Sequence, residues 1–264
     1  MQVRSLGYRT DLIFSAFNGE VVDCGEYLVI RTPSNRSFYW GNFLLFRDPP
    51  RTGDFDRWRS IFFSEVRVSP EVQHEAFGWD TTQGEAGEVG PFLEAGFELS
   101  HGTVLTTRRL MAPMPPVQKI DIRPLGSDDD WLQAVENQIR CREPEHEESA
   151  FRAFKERQMR SYRSMAAAGM GEWFGAFLGE VLVADLGLFH DGALARYQTV
   201  ETHPEYRRQG IAANLVYQAG AYALERFSIH TLVIVADRES AASRLYQSLG
   251  FAPREQQLGL QRRP

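Results

Sequence analysis

The chain has 264 residues, of which 43% are hydrophobic and 24% charged, with a formal net charge of −6. That length is long for one ordinary domain and comfortable for two, each with its own core. The acidic balance argues against nucleic acid as a partner, because a phosphate-binding face wants a basic excess.

Two distant cysteines, Cys24 and Cys141, argue against a disulfide framework. The six histidines are scattered, and Glu145-His146-Glu147-Glu148 lacks a second histidine four residues on, so no metal site is expected. Met1 to Gly7 has no apolar signal region, and no run approaches the roughly 18 apolar residues of a membrane span. A cytoplasmic protein with no membrane partner is the expectation.

In chain order, the first half offers the aromatic run Phe38-Tyr39-Trp40, an apolar strand at Phe43 to Phe46, and the aromatic-rich segment Trp58 to Phe63. These aromatics read foremost as core, and second as a wall beside a cleft. Met111 to Val117 holds three prolines between Pro113 and Pro116, which cannot lie inside a helix or a central strand. Residues 113–117 are therefore read as a Pro-rich linker between domains at 1–112 and 118–264.

Beyond it, Val117 to Ile122 alternates as a strand does. Ser127 and Asp128 to Asp130 read as a helix N-cap and acidic first turn before Trp131 to Glu136. A second helix runs from Ser149 to Ala168 and stops at Gly169. Glu172 to Phe177 and Glu180 to Leu188 read as a hairpin about Gly179, followed by a turn at His190-Asp191-Gly192 and a strand from Ala193 to Thr202. A helix at 212–226, a buried strand at 231–235, a helix at 240–249 and a last strand near Leu258 and Leu260 complete the order β-α-α-β-β-β-α-β-α-β.

The chemical centre of that order is His203-Pro-Glu-Tyr-Arg-Arg-Gln-Gly-Ile-Ala212, between a strand and a helix. Gly210 and Ala212 leave room for an anion to approach the backbone. The open N–H groups of the helix's first turn point at it, and Arg207 and Arg208 add positive charge. A pyrophosphate is the natural ligand. A solvated basic turn that merely begins a surface helix fits the spacing equally well.

His203 to Ala212 resembles motif A of the GCN5-related N-acetyltransferase (GNAT) superfamily, with Arg207, Gly210 and Ala212 at the matching places. Ala242-Ser-Arg-Leu-Tyr-Gln-Ser-Leu-Gly-Phe251 resembles motif B of the same superfamily. The resemblance covers roughly 118–264 and implies an α/β fold with a mixed sheet. It implies an acyl-CoA, acetyl-CoA first, with its pyrophosphate on the amides of Gln209, Gly210, Ile211 and Ala212 and its pantetheine arm beside Val200 and Thr202. The family often carries Asn, contacting the cofactor, where this chain has Glu239, three residues before Ala242; that contact departs from the pattern.

An amine acceptor, a small molecule or a protein N-terminus or lysine, would attack the thioester directly in a ternary complex. Most of the rate would come from positioning and polar stabilisation. Tyr246 matches the family tyrosine that protonates the leaving thiolate. Glu201 and His203, on the strand face opposite Val200 and Thr202, are the candidate bases. A water chain could do the same work. An acyl-CoA sensor without turnover is the alternative reading, and a homodimer stays open.

A shift of 154 positions lays Phe92-Leu-Glu-Ala-Gly-Phe97 on Tyr246-Gln-Ser-Leu-Gly-Phe251, Pro50 on Pro204, and Phe43 to Phe46 on Tyr197 to Val200. The expectation is a tandem fold with a degenerate, non-catalytic first copy. In that ungapped register Asp56 falls on Gly210, Trp58 on Ala212 and Phe92 on Tyr246. A carboxylate, a bulky indole and a missing hydroxyl would then replace the groups that bind and react.

Overall fold

The computed structural model describes residues 1–114, 120–238 and 240–263. Most of the expected linker, from Pro115 to Val117, and the first residues of the expected strand at 117–122 lie outside them, as does Glu239. The chain divides into two compact units. The first is Met1–Val104 with Val235–Arg238 and Pro253–Pro264; the second is Leu105–Ile234 with Glu239–Ala252.

The first unit contains α1 (Leu6–Asn18), β1 (Glu20–Asp23), β2 (Tyr27–Arg31), β3 (Phe43–Phe46), α2 (Asp54–Glu65), β4 (Glu75–Trp79), α3 (Gly90–Glu94) and most of β5 (Glu98–Thr107). The start of α1 is held from outside the helix: the Asp80 carboxylate accepts from the Arg4 and Ser5 main-chain N–H groups at 2.9 and 2.8 Å. β3 is buried throughout and lies parallel to β4, its Leu44 opposite Phe77. Apolar residues on every position suit a strand covered on both faces. Trp58 of α2 stacks on Phe46 with ring centroids 3.8 Å apart, and Phe62, Phe77, Trp79, Phe92 and Phe97 close the same core.

The second unit contains β6 (Asp121–Pro124), α4 (Asp128–Arg140), α5 (Glu148–Ala167), β7 (Gly171–Leu178), β8 (Val181–Asp191), β9 (Leu194–Thr202), α6 (Ile211–Arg226), the start of β10 (Thr231–Asp237) and α7 (Ala241–Ser248). Its strands lie in the order β10-β9-β8-β7-β6. β9 and β10 are parallel and the other neighbours antiparallel, so the sheet is mixed. The expected N-cap is present: Ser127 accepts from the Asp130 N–H while Asp130 reaches back, a full capping box. The hairpin and turn glycines, Gly179 and Gly192, take φ of 61° and 56°, where a side chain would be strained.

The last strand, β11 (Ala252–Arg262), was expected within 118–264. Nearly all of it, from Pro253, belongs instead to the first unit, where it pairs antiparallel with β4 from Gly259↔Gly78 to Arg262↔Glu75. The reason is burial. Leu258 and Leu260 fill the first unit's aromatic core, and the Tyr8 hydroxyl donates to the Leu258 carbonyl.

The element order α-β-β-β-α-β-α-β occurs twice, from α1 to β5 and from α5 to β11. The 154-residue register holds after the short helices, where Gly96 and Gly250 both take positive φ, 83° and 93°. It fails at α2. The N-cap there is Gly53 at φ 89°, and the N-cap of α6 is Gly210 at φ 78°. The loop from Pro50 to Gly53 is three residues shorter than that from Pro204 to Gly210. Gly210 therefore corresponds to Gly53 rather than Asp56, and Trp58 is a core residue rather than a plug at the helix end. No helix among the described residues is long and apolar enough to cross a membrane.

Candidate active site

β9 begins as a regular strand and then departs from regularity. It pairs with β10 from Leu194↔Thr231 to Arg196↔Val233. On its other side the register with β8 shifts between Asp185 and Gly187, and Thr199 takes a φ of 48°. A β-branched residue at positive φ marks a bulge, with one extra residue on the bulged strand. The parallel ladder with β10 covers only Leu194 to Arg196 of β9 and ends before this bulge.

The chain then makes one 3-10 turn, Pro204 to Tyr206, and a tight approach to α6. Arg208 takes φ 61°, Gly210 takes φ 78°, and no side chain caps the helix. The first-turn N–H groups of Ile211 and Ala212 thus face outward from the end of a 16-residue helix. Arg207, Arg208 and Gln209 are exposed. Arg207 is nonetheless anchored, its Nε donating to the Thr202 carbonyl at 3.0 Å. Val200 and Thr202 are half-buried on the stretch of β9 beyond that ladder.

Of the two candidate bases, only one is turned toward other reactive groups. His203 caps the 3-10 turn, its Nδ1 accepting from the Glu205 N–H at 3.3 Å, and its ring packs edge-on against Tyr206. Glu201 is half-buried and interacts with Lys155, the Cys141 thiol and Arg207. Burial raises its carboxyl above the ordinary range, and those neighbours pull it back. Tyr246 of α7 is 6% exposed. Burial first, and the Glu201 charge second, push its phenol above the usual value, which places the two in one electrostatic neighbourhood.

Several residues of this region escaped the sequence reading. Asp185 is fully buried and accepts from Asn137, Gln138 and Trp173 at 2.7, 2.6 and 3.0 Å. Its carboxyl is pushed up to about 7 by burial. Lys155 is also buried, its Nζ donating to Gln158 Oε1 at 3.1 Å. Burial lowers the Lys155 ammonium, and Glu201 and Asp185 hold it up. Signals existed: Asp185 interrupts the apolar run Val181 to Phe189, and Lys155 shares a helix face with Gln158, Met159 and Tyr162. Cys24 and Cys141 are both free thiols, and among the described residues no group of three or more His, Cys, Asp or Glu is placed to hold a metal ion.

Residues 131–251 match the Acetyltransferase (GNAT) family. Solved structures extend the likeness in fold to nearly the whole chain. A conserved protein of unknown function from Staphylococcus epidermidis aligns at TM-score 0.68 and 13% identity, over 94% of this chain and 95% of its own. A GCN5-related N-acetyltransferase from Kribbella flavida aligns at TM-score 0.62 and 15% identity, over 96% and 93%. A tandem GNAT protein from the clavulanic acid biosynthesis pathway aligns at TM-score 0.54 and 14% identity, over 84% and 75%. No curated protein matches the sequence. The mixed sheet and its helices are thus of the GNAT fold.

Proposed function

We propose that this chain is an N-acyltransferase that moves an acetyl or other acyl group from acyl-CoA to a primary amine in a ternary complex. The observation that carries the reading is the uncapped start of α6 at Gly210, after a bulged β9 whose ladder with β10 stops at Arg196. The peptide N–H groups of Gly210, Ile211 and Ala212, with Gln209 and the arginines beside them, suit a diphosphate. The stretch of β9 at Val200 and Thr202, beyond its ladder with β10, suits the amide groups of a pantetheine arm, which would pair as an added strand does.

Within this reading Glu201 accepts the proton of the attacking amine. Its raised carboxyl gives a stronger base than an ordinary glutamate once ionised. Tyr246 donates to the leaving sulfur, and its buried phenol keeps its proton until a thiolate forms. His203 is spent on a local turn, so Glu201 ranks ahead of it. The fold sets positions and the chain supplies two proton-handling groups; this division suits direct attack.

The first unit we read as a degenerate copy without transfer activity. Asp54 and Asp56 lie in the first turn of α2, where they disfavour a second anion. Phe92 stands on α3 where Tyr246 stands on α7, with no hydroxyl to donate.

Thiol release from acetyl-CoA, measured across a panel of amines with CoA affinity measured in parallel, tests the reading. Amine-dependent release that collapses in Tyr246→Phe supports it. CoA binding with no release for any amine would make the chain an acyl-CoA sensor, and no CoA binding at all would reject both.

A further inference from the structure

Alternation along a regular strand puts residues three apart, such as Gln198 and Glu201, on opposite faces. The bulge in β9 puts these two on the same face. β8 advances two residues, from Asp185 to Gly187, while β9 covers the same distance with three, from Glu201 back to Gln198. Leu186 therefore opposes both Thr199 and Val200, and Thr199 absorbs the insertion at φ 48°. Residues directly opposite on antiparallel strands share a face. Glu201 lies on the face of Asp185, and Gln198 on that of Gly187. Asp185 and Gly187 are two apart on β8, so all four share one face, and Gln198 and Glu201 are separated by about 7 Å along the strand.

Contacts fix which face this is. Asp185 accepts from Asn137 and Gln138 of α4 at 2.7 and 2.6 Å. Gln198 Nε2 donates to the Tyr162 hydroxyl of α5 at 3.0 Å. The residue before it, Tyr197, points the other way, its hydroxyl donating to the Val216 carbonyl of α6 at 2.8 Å. Tyr162 is a firm anchor: it is 2% exposed and its ring stacks on Trp173 with centroids 4.8 Å apart. Gly187 makes room for that stack, since a Cβ there would come within 2.6 Å of the Trp173 ring. With Nε2 held by Tyr162, the accepting end of the half-buried Gln198 amide, Oε1, takes no hydrogen bond among the described residues. A nitrogen that donates at about 3 Å to two oxygens holds them roughly 5 Å apart, which glutamine and glutamate side chains reach from that spacing.

We propose that Gln198 is a specificity-determining residue for the acceptor, its Oε1 accepting one N–H of a primary amine while Glu201 takes the other. The inference rests on the assignment of Glu201 as the base. The nitrogen lone pair forms the new bond to the thioester carbon as the carbon–sulfur bond breaks. One amine proton passes to Glu201, Tyr246 supplies a proton to the sulfur, and the second N–H stays on the product amide. Gln198 holds that retained N–H. A secondary amine has a single N–H, so it leaves Oε1 unpaired, and a site built to bond an N–H rejects the analogue that lacks it.

The test is kcat/KM for thiol release from acetyl-CoA with primary amines and with their N-methyl derivatives, in the wild-type chain, Gln198→Met and Tyr162→Phe. CoA affinity and melting temperature are measured beside it. Gln198→Met keeps the side-chain length and removes the acceptor atom. Its rate with primary amines falls about tenfold while that with N-methyl amines holds, so the preference for primary amines shrinks by about tenfold. CoA affinity stays unchanged. Tyr162→Phe releases the Gln198 amide and shrinks the same preference by a smaller factor, and the double variant prefers primary amines no less than Gln198→Met. A loss shared equally by both amine classes, or a preference that does not move, overturns the inference.

Glu201→Gln separates this from the underlying assignment. If that variant keeps full rate, the base is misassigned and the inference falls with it. If it is inactive while Gln198→Met keeps the wild-type preference, only the role of Gln198 fails. No thiol release from the wild-type chain with any amine overturns both. Should Gln198→Met not fold, Tyr162→Phe reads the same preference, and an unmoved ratio there is again a refutation.

Discussion

Placing a negative charge at the start of α6 tests the diphosphate site most directly. At φ 78° an L-residue other than glycine costs about 1–2 kcal/mol, so Gly210→Ala should lower the melting temperature by several degrees. That variant measures the backbone cost alone. Gly210→Asp adds a carboxylate. Taken at about 5 Å from the nearer phosphate and an effective dielectric of about 20, one pair of unit charges repels by about 3 kcal/mol before salt screening. Halved by salt, the penalty still weakens CoA binding between about tenfold and a hundredfold relative to Gly210→Ala. Isothermal titration with CoA at low and high salt reads both numbers, and the gap between the variants should narrow as salt rises. If Gly210→Asp binds CoA within twofold of Gly210→Ala at low salt, the diphosphate does not sit at this helix end.

Three further outcomes are expected. Tyr246→Phe should reduce kcat for thiol release by about a hundredfold or more with little change in CoA affinity, checked by steady-state kinetics beside titration. Asp185, whose carboxyl rises from 3.8 to about 7 on folding, contributes stability that is complete below pH 4 and lost as pH climbs through 7, up to ~4 kcal/mol in all. Urea midpoints should therefore fall from pH 5 to pH 8 in the wild-type chain more than in Asp185→Asn; parallel curves would contradict the burial argument. Leu260→Ala, at a position 0% exposed in the first unit's core, should cost about 2–5 kcal/mol in denaturant unfolding.

Much of the second unit was legible because its signals are local. The Ser127 cap, the glycines at 179 and 192, and the glycine at the head of α6 each act over three or four residues. The family resemblance rested on the same kind of short-range pattern. What stayed hidden was set by partners distant in sequence. The bulge at Thr199 depends on what β8 offers opposite it. That Glu201 engages buried groups while His203 turns back on its own loop follows from α5 and α4 packing beneath β9, which alternation along one strand does not reveal. The ungapped repeat register failed at α2 for a related reason: a loop can lose three residues while both helices keep a left-handed glycine at their start.

The place of β11 bears on how the molecule comes to be. The unit that leaves the ribosome first lacks Leu258, Leu260 and the carbonyl that Tyr8 holds until residues 253–264 are synthesised. Its edge at β4 must wait for β11 through the making of about 170 intervening residues. Excising residues 1–112 as an isolated fragment would leave that edge open, whereas a fragment tethered to its own copy of 253–263 would carry the missing strand.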